Sequence, residues 1–122
     1  MAYISGFVAA VPHDNKQGYV DFARKSWSAF QRYGAQRMVE SWEDEVPDGK
    51  LTSFPMAVQR AEGEAIVFSW IEWPDKASCD ACMAAMESDP VFADMSPDTM
   101  PFDGKRMIYG GFTTVLDSSA EG

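Results

Sequence analysis

Two glutamates in apolar, strand-forming segments are the first candidates for chemistry. By the two-residue period of a strand, Glu40 shares a face with Trp42, and Glu72 shares a face with Trp70. If these faces converge with Tyr109, two carboxylates lie among aromatic rings, in a pocket suited to a small polar aromatic or ketone-like ligand. Burial there would raise a carboxylate pKa and fit that group for proton transfer. The alternative is that both carboxylates lie at strand ends, in ion pairs with Arg37 or Arg106 that fix a dimer.

A glycine turn near the C-terminus, Asp103-Gly104-Lys105-Arg106, is the second candidate. The backbone N–H groups of such a turn, with Lys105 and Arg106 beside them, are able to hold a carboxylate or a phosphate. Gly110 and Gly111 follow, and their missing side chains leave room for a ligand or for a close approach of the backbone. The alternative is an ordinary tight turn with both cations in solvent.

Two cysteines and one histidine complete the reactive side chains. Cys79 and Cys82 have the spacing of a redox pair, but with Met86 they also form a stripe at i, i+3 and i+7 of a helix. We therefore interpret them as packing residues. His13 is a possible acid or base near neutral pH, or else a solvent-facing turn residue. One histidine and two cysteines make no closed four-ligand set, so no metal site is predicted.

The composition restricts the classes of partner. The chain has 122 residues and a formal net charge of −9, which disfavours binding to nucleic acid or to anionic membranes. It contains neither a Walker loop nor a dinucleotide-binding glycine fingerprint, and we expect no cofactor. The apolar segment Tyr3–Val11 lacks a basic region before it, so we interpret it as a first strand and expect a cytoplasmic protein.

The chain alternates between strand-like and helix-like segments. Asp14 and Gln17 have the spacing of a capping box at the start of a first helix. Gly34 suits the left-handed position after that helix, and Asp75 begins a second helix that runs to about Met86. The predicted strands are Tyr3–Val11, Ala35–Asp44, Phe54–Arg60, Glu64–Trp73 and Arg106–Leu116.

This order of elements is typical of an α+β fold, the ferredoxin-like βαββαβ sandwich, here with an inserted strand. Residues 1–116 are predicted to form one domain with both helices on one face of an antiparallel sheet, and residues 117–122 a polar tail. Tyr3–Val11 and Glu64–Trp73 are apolar on both faces. Because soluble monomers avoid large exposed apolar patches, we predict a homodimer whose two sheets face each other as a closed α/β barrel.

Several segments resemble a known family. Met100–Phe112 is similar to the C-terminal signature of the YbaA-like bacterial proteins, a family of unknown function, and further matches are Gly6–Val8, Glu40–Trp42, Val46–Lys50 and Val67–Glu72. The resemblance covers nearly the whole chain. It implies the dimeric α/β-barrel superfamily, which includes small monooxygenases and haem-degrading enzymes. It implies no particular reaction.

Three functions stay open on this basis. The first is the binding of a small organic molecule in a pocket between the sheet and the helices. The second is a cofactor-independent oxygenase or isomerase, and the third is a structural or regulatory dimer without catalysis. The candidate catalytic residues are Glu40, Glu72, Tyr109 and His13, and the candidate ligand-binding residues are Trp42, Trp70, Lys105, Arg106 and Gly110.

Overall fold

The computed structural model describes residues 2–92 and 100–121, with side chains up to residue 119. Met1 of the predicted domain and Gly122 of the predicted tail lie outside the described residues. In chain order the elements are β1 (Tyr3–Pro12), α1 (Lys16–Arg32), β2 (Arg37–Trp42), α2 (Phe54–Ala57), β3 (Glu64–Trp73), α3 (Lys76–Ala85), β4 (Ile108–Thr113) and α4 (Ser118–Glu121), with 3₁₀ turns at His13–Asn15 and Pro90–Phe92.

The four strands form one antiparallel sheet in the order β2-β3-β1-β4. Helices α1 and α3 both pack on the same face, because Phe30 of α1 and Cys82 of α3 share one buried cluster with Trp73 of the sheet. This arrangement is the predicted ferredoxin-like α+β fold. Among the described residues, no helix is long and apolar enough to cross a membrane.

Alternation along β3 sets the two faces of the sheet. Its odd-numbered side chains are all buried, beneath the helices: Ala65, Val67, Ser69, Ile71 and Trp73. The indole Nε1 of Trp73 is satisfied on this side, since it donates to the Ser5 hydroxyl at 3.0 Å. We call this side of the sheet the helix face.

The opposite side, which we call the open face, carries large apolar side chains without a helix over them. Phe68 is 44% exposed, Ile108 44% and Phe112 59%. One end of this face is covered, because residues 46–58 bring Val58 into a buried cluster with Ile66. The remainder is the uncovered apolar surface that the sequence predicted.

The helix boundaries follow local backbone chemistry. The predicted capping box is wrong, because residues 13–15 form a 3₁₀ turn, Asn15 takes the N-cap position, and Gln17 donates to Asp21 at 2.9 Å instead. Gly34 has φ +99°, the left-handed conformation expected after α1. The Asp75 carboxylate accepts from the Ser78 N–H at 2.8 Å, which confirms it as the N-cap of α3.

The inserted strand predicted at Phe54–Arg60 is a helical turn, α2, followed by loop. Ser53 accepts a hydrogen bond from the Met56 N–H at 3.1 Å, and Pro55 lies in the first turn, where its missing N–H has no cost. The last strand is also shorter than predicted. It ends at Thr113 because its partner β1 begins at Tyr3, directly opposite.

Candidate functional site

A cavity of about 110 Å³ lies between the helix face of the sheet and helices α1 and α3. Its wall is almost entirely apolar, and residues 100–107 close part of it. The side chains around it are Phe7, Ala9, Tyr19, Phe22, Ala23, Ser26, Phe30, Met38, Glu40, Val67, Ser69, Ile71, Met83, Met86, Met100, Phe102 and Met107. An engineered apolar cavity of ~150 Å³ binds benzene, so a volume of this order suits a ligand of about that size.

One polar cluster interrupts this apolar wall. The Tyr19 hydroxyl donates to the Glu40 carboxylate at 2.6 Å, and the Ser69 hydroxyl interacts with both groups. Burial raises the pKa of Glu40 above its ordinary value, although the bonds from Tyr19 and Ser69 favour the charged form. Burial, and then the Glu40 charge, raise the pKa of Tyr19, which therefore stays a hydrogen-bond donor.

Strand register brings this cluster together. Glu40 of β2 pairs directly with Ser69 of β3, so both side chains leave the sheet on the helix face. Tyr19 reaches them from the first turns of α1. Glu40 as a whole residue is exposed because β2 is an edge strand, while its carboxyl is bonded to the Tyr19 hydroxyl. The carboxyl is therefore reachable from solvent at one side and faces the cavity at the other.

Methionines give the cavity an adaptable wall. Five of its lining residues are methionines: Met38, Met83, Met86, Met100 and Met107. The methionine side chain is unbranched, flexible and polarisable, so it fits ligands of different outline and packs well against aromatic rings. The cavity therefore combines one fixed polar cluster with walls that are able to adjust.

The predicted convergence of Glu40 and Glu72 is wrong. Glu72 pairs with Arg37 and lies on the open face. It is three residues from Ser69, the partner of Glu40, and an odd separation along a strand places two side chains on opposite faces. There Glu72 accepts from the Trp70 Nε1 at 3.0 Å and from Arg37 at 3.3 Å. The two glutamates therefore belong to opposite faces. Glu72 is in an ion pair with Arg37, as in the alternative interpretation.

The other predicted aromatic residues are also divided between the faces. Trp42 lies on the helix face, 6.4 Å from Tyr19 by ring centroids. Trp70 lies on the open face, 5.9 Å from Phe68. Tyr109 lies on the edge strand β4, where it pairs with Phe7 of β1, and it is 74% exposed.

Of the two glycines, Gly110 faces the open side, and an added Cβ there would touch the Phe112 ring at 3.4 Å. Gly111 accommodates Tyr3, because an added Cβ would lie 2.0 Å from the Tyr3 hydroxyl. The space at Gly111 is therefore filled by the Tyr3 side chain, which neither interpretation of the glycine pair named. His13 is exposed in the 3₁₀ turn after β1, and its N–H donates to Gly63 O at 2.8 Å.

The turn cations have different environments. Arg106 is bound to Glu64 by two hydrogen bonds of 2.8 Å each, and Lys105 is exposed. The bonds that Arg106 donates to Glu64 raise the pKa of its guanidinium. The guanidinium therefore lies in an ion pair within the domain and not in solvent.

The cysteines are buried and free. Burial raises the pKa of Cys82 to about 12, and Cys79 lies 3.1 Å from the Ser5 hydroxyl. A thiol that is protonated at neutral pH is a poor nucleophile. The structure thus agrees with the interpretation of both residues as core packing.

Sequence reasoning missed three residues of the site: Tyr19, Ser69 and Phe102. A 3-4-3 spacing in the sequence predicts a buried stripe of Val20, Ala23, Trp27 and Phe30. In the structure Ala23 and Phe30 are buried, but the other two positions of the stripe belong to Tyr19 and Ser26. A signal present in the sequence was the 4-3-4 spacing of Tyr19, Ala23, Ser26 and Phe30. Ser69 had a weaker signal, a lone hydroxyl within an apolar strand.

The fold and cavity define an α+β protein of the ferredoxin-like class. The chain belongs to the family described as a protein of unknown function (DUF1428), whose model matches residues 2–104. It is 51% identical over 117 residues to the uncharacterized protein YbaA of Escherichia coli strain K12, covering 96% of this chain and 99% of that protein. A Shigella flexneri YbaA has the same identity and coverage. The resemblance to the YbaA-like family is therefore confirmed.

Solved structures share the fold at low sequence identity. A dimeric ferredoxin-like protein from an uncultured marine organism has a TM-score of 0.59 and 13% identity, over 96% of this chain and 99% of that one. A variant of SnoaB, a cofactor-independent oxygenase from Streptomyces nogalater, has a TM-score of 0.56 and 15% identity, over 95% of each chain. An uncharacterized NIPSNAP domain protein from Burkholderia xenovorans has a TM-score of 0.54 and 13% identity, over 94% and 95%. These similarities concern the fold.

Proposed function

We propose that the protein is a homodimer that binds a small, mostly apolar organic molecule in the cavity between the sheet and helices α1 and α3. The observation that carries this proposal is the Tyr19–Glu40 pair with Ser69, the polar cluster in an otherwise apolar wall. Ligand sites combine this kind of apolar lining with a few fixed polar groups that orient the ligand. The ligand class is a ring of about benzene size with one hydroxyl or carbonyl group.

The polar cluster selects the ligand's polar group. The Tyr19 hydroxyl is committed to Glu40, so the carboxylate is left with acceptor capacity towards the cavity. A ligand hydroxyl is then able to donate to Glu40, in a charge-assisted bond stronger than a neutral one. A hydrocarbon of the same size gains only the apolar contacts.

The homodimer is supported by the open face. Phe68, Ile108 and Phe112 expose large apolar surfaces there, next to Trp70. A twofold axis that brings two such faces together buries this surface on both copies at once. The similarity to a dimeric ferredoxin-like protein points in the same direction.

Catalysis without a cofactor is the second candidate function. It is favoured by the raised pKa of Glu40, which makes this carboxylate a stronger proton acceptor than an ordinary glutamate. In an isomerisation, Glu40 would take a proton from a carbon next to a carbonyl and return it to another atom of the same molecule. The similarity to a cofactor-independent oxygenase supports this direction by fold alone.

Calorimetric titration with phenol and benzene tests the binding proposal. We expect phenol to bind about tenfold more tightly than benzene, because a hydrogen bond to a charged group contributes ~1.5–3 kcal/mol, part of which is lost to desolvation. In Glu40→Gln this preference should fall several-fold. Glu72→Gln is the matched control, because this carboxylate lies on the opposite face and its loss should leave the preference unchanged.

Two outcomes would count against this proposal. Equal binding of phenol and benzene by the wild-type protein would remove the role of the polar cluster. If neither compound bound, the cavity would not be a ligand site, and the structural or regulatory dimer would be favoured instead.

A further inference from the structure

We propose that residues 100–107 form a strap over the cavity and that Arg106 is the positioning residue that holds the strap closed. The proposal rests on the proposed function for its effect on ligand entry, but the role of Arg106 is testable without a ligand. The strap contributes three side chains to the cavity wall, namely Met100, Phe102 and Met107.

The inner side of the strap is seated on α1. The Phe102 ring lies 6.1 Å from the Tyr19 ring and 5.9 Å from the Phe22 ring, the latter in an edge-to-face arrangement. Phe102 and Met107 also pack against a buried cluster that includes Val67 of the sheet. The strap therefore touches the tyrosine whose hydroxyl binds Glu40, and movement of the strap changes access to that pair.

The outer side of the strap is fastened by Arg106. Its guanidinium donates to both Glu64 oxygens at 2.8 Å and to Gln59 O at 2.9 Å, which ties the strap to β3 and to the loop before it. Within the strap it donates to Asp103 at 3.2 Å. Because Arg106 lies between Phe102 and Met107, this anchor fixes the backbone between two of the residues that close the cavity.

The bonding of Arg106 distinguishes an anchor from a ligand-binding cation. Four of its hydrogen bonds go to protein acceptors, and its side chain is only 24% exposed. The paired bonds to one carboxylate require the planar fork of a guanidinium, which a lysine does not have. We therefore expect Arg106→Lys to hold the strap less firmly than arginine and Arg106→Met to release it.

The chain contains a matched control for this anchor. Arg60 also binds both oxygens of one carboxylate, that of Glu43, at 2.6 and 2.7 Å, and it has a similar side-chain exposure of 20%. Glu43 follows β2 and is bonded to Ile66 of β3, since its carboxylate accepts a hydrogen bond from the Ile66 N–H. The ion pair therefore fastens residues 43–60 and not the strap. Arg60→Met removes this ion pair, whereas both bonds from Arg106 to Glu64, which hold the strap to β3, do not involve Arg60.

Hydrogen–deuterium exchange on the unliganded protein tests the anchor directly. In Arg106→Met the amides of residues 105 and 106, which donate to Asp103 at 3.0 and 3.2 Å, should exchange about tenfold faster than in wild type, since bonds between charged groups are lost. In Arg60→Met these amides should keep the wild-type rate. Phenol should also dissociate several-fold faster from Arg106→Met than from Arg60→Met.

Equal strap exchange in the two variants would overturn the proposal. If strap exchange rises only in Arg106→Met while wild type fails to bind phenol, the anchor stands and the proposed function fails. If wild type binds phenol and Arg106→Met neither speeds strap exchange nor alters phenol dissociation, the strap proposal fails alone. Faster strap exchange with unchanged phenol dissociation would also overturn it, because the strap would then not control the cavity.

Discussion

The Tyr19 hydroxyl donates to the Glu40 carboxylate at 2.6 Å, which joins helix α1 to the edge strand β2 at the wall of an apolar cavity. Burial raises the pKa of this carboxylate, so ionising it in the folded protein is less favourable than ionising a carboxyl in water. Its partners in the cluster are hydroxyl groups and not a cation. A carboxylate whose ionisation is disfavoured by its surroundings is more characteristic of a functional site than of a stabilising contact.

The first prediction concerns stability against pH. Because the folded-state pKa of Glu40 is raised, its contribution to stability is fully present below the unfolded value of about 4.3 and is lost as pH rises through the folded value. Glu40→Gln, which has no charge to bury, should therefore unfold at a higher temperature than wild type at pH 7. The difference should vanish near pH 3.5.

Thermal unfolding by circular dichroism across this pH range checks the result. Glu64 should show the opposite pH dependence of stability, since the bond from Arg106 lowers the pKa of its carboxyl. Its contribution is present above the unfolded value and is lost as pH falls through the folded value. Glu64→Gln should therefore be destabilising at pH 7. A destabilised Glu40→Gln at pH 7 would contradict our account of the cluster.

The second prediction concerns the open face. Phe68→Asp places a charge on a side chain that is 44% exposed in the single chain, so the monomer should still fold. In the proposed dimer the same charge would be buried without a partner, and the variant should sediment as a monomer. Ala81→Asp on the exposed side of α3 is the control and should keep the wild-type mass. A wild-type protein that stays monomeric at high concentration would refute the dimer.

The third prediction concerns the cysteines. With both thiols buried and the pKa of Cys82 raised to about 12, the native protein should react slowly with a thiol-specific chromogenic disulfide at pH 8. In denaturant both should react at the rate of an exposed thiol. Rapid reaction of either cysteine in the native state would mean that the CxxC motif is more than packing.

The fourth prediction concerns the buried Ser5 hydroxyl. Ser5→Ala leaves the indole N–H of Trp73 without its acceptor, and an unsatisfied buried donor costs ~1–3 kcal/mol. Ser28→Ala on the exposed side of α1 should change the free energy of unfolding by less than ~0.5 kcal/mol. Urea denaturation of the two variants makes the comparison, and equal stability would show that Ser5 contributes little.

Much of the fold was predictable because it follows from local chemistry. Gly34 marked the end of α1, Asp75 marked the start of α3, and the apolar content of β3 on both sides indicated an uncovered face. The insert was not predictable in this way, because Phe54–Ala57 is rich in apolar residues that suit a strand. Its helical turn begins with two bonds to Ser53, one from the Met56 N–H to the hydroxyl and one from the Ala57 N–H to the carbonyl.

The site was harder to predict than the fold, for a reason of register. Alternation correctly assigned Glu40 and Glu72 to faces of their own strands. Alternation did not show how the faces of the two strands correspond, because a shift of one residue in their pairing moves every side chain of one strand to the other side of the sheet. The pairing of Glu40 with Ser69 separates the two glutamates, and Tyr19, from a helix, takes the place expected for Glu72.

The most direct test of the ligand site is a phenol titration followed by the methyl resonances of the methionines. We predict that Met38, Met83 and Met107, which line the cavity, shift in a saturable manner and that Met56, exposed on α2 away from the cavity, does not. In Glu40→Gln the same methyls should shift only at several-fold higher phenol concentration. Shifts confined to methionines outside the cavity, or no saturable shift, would contradict the proposed site.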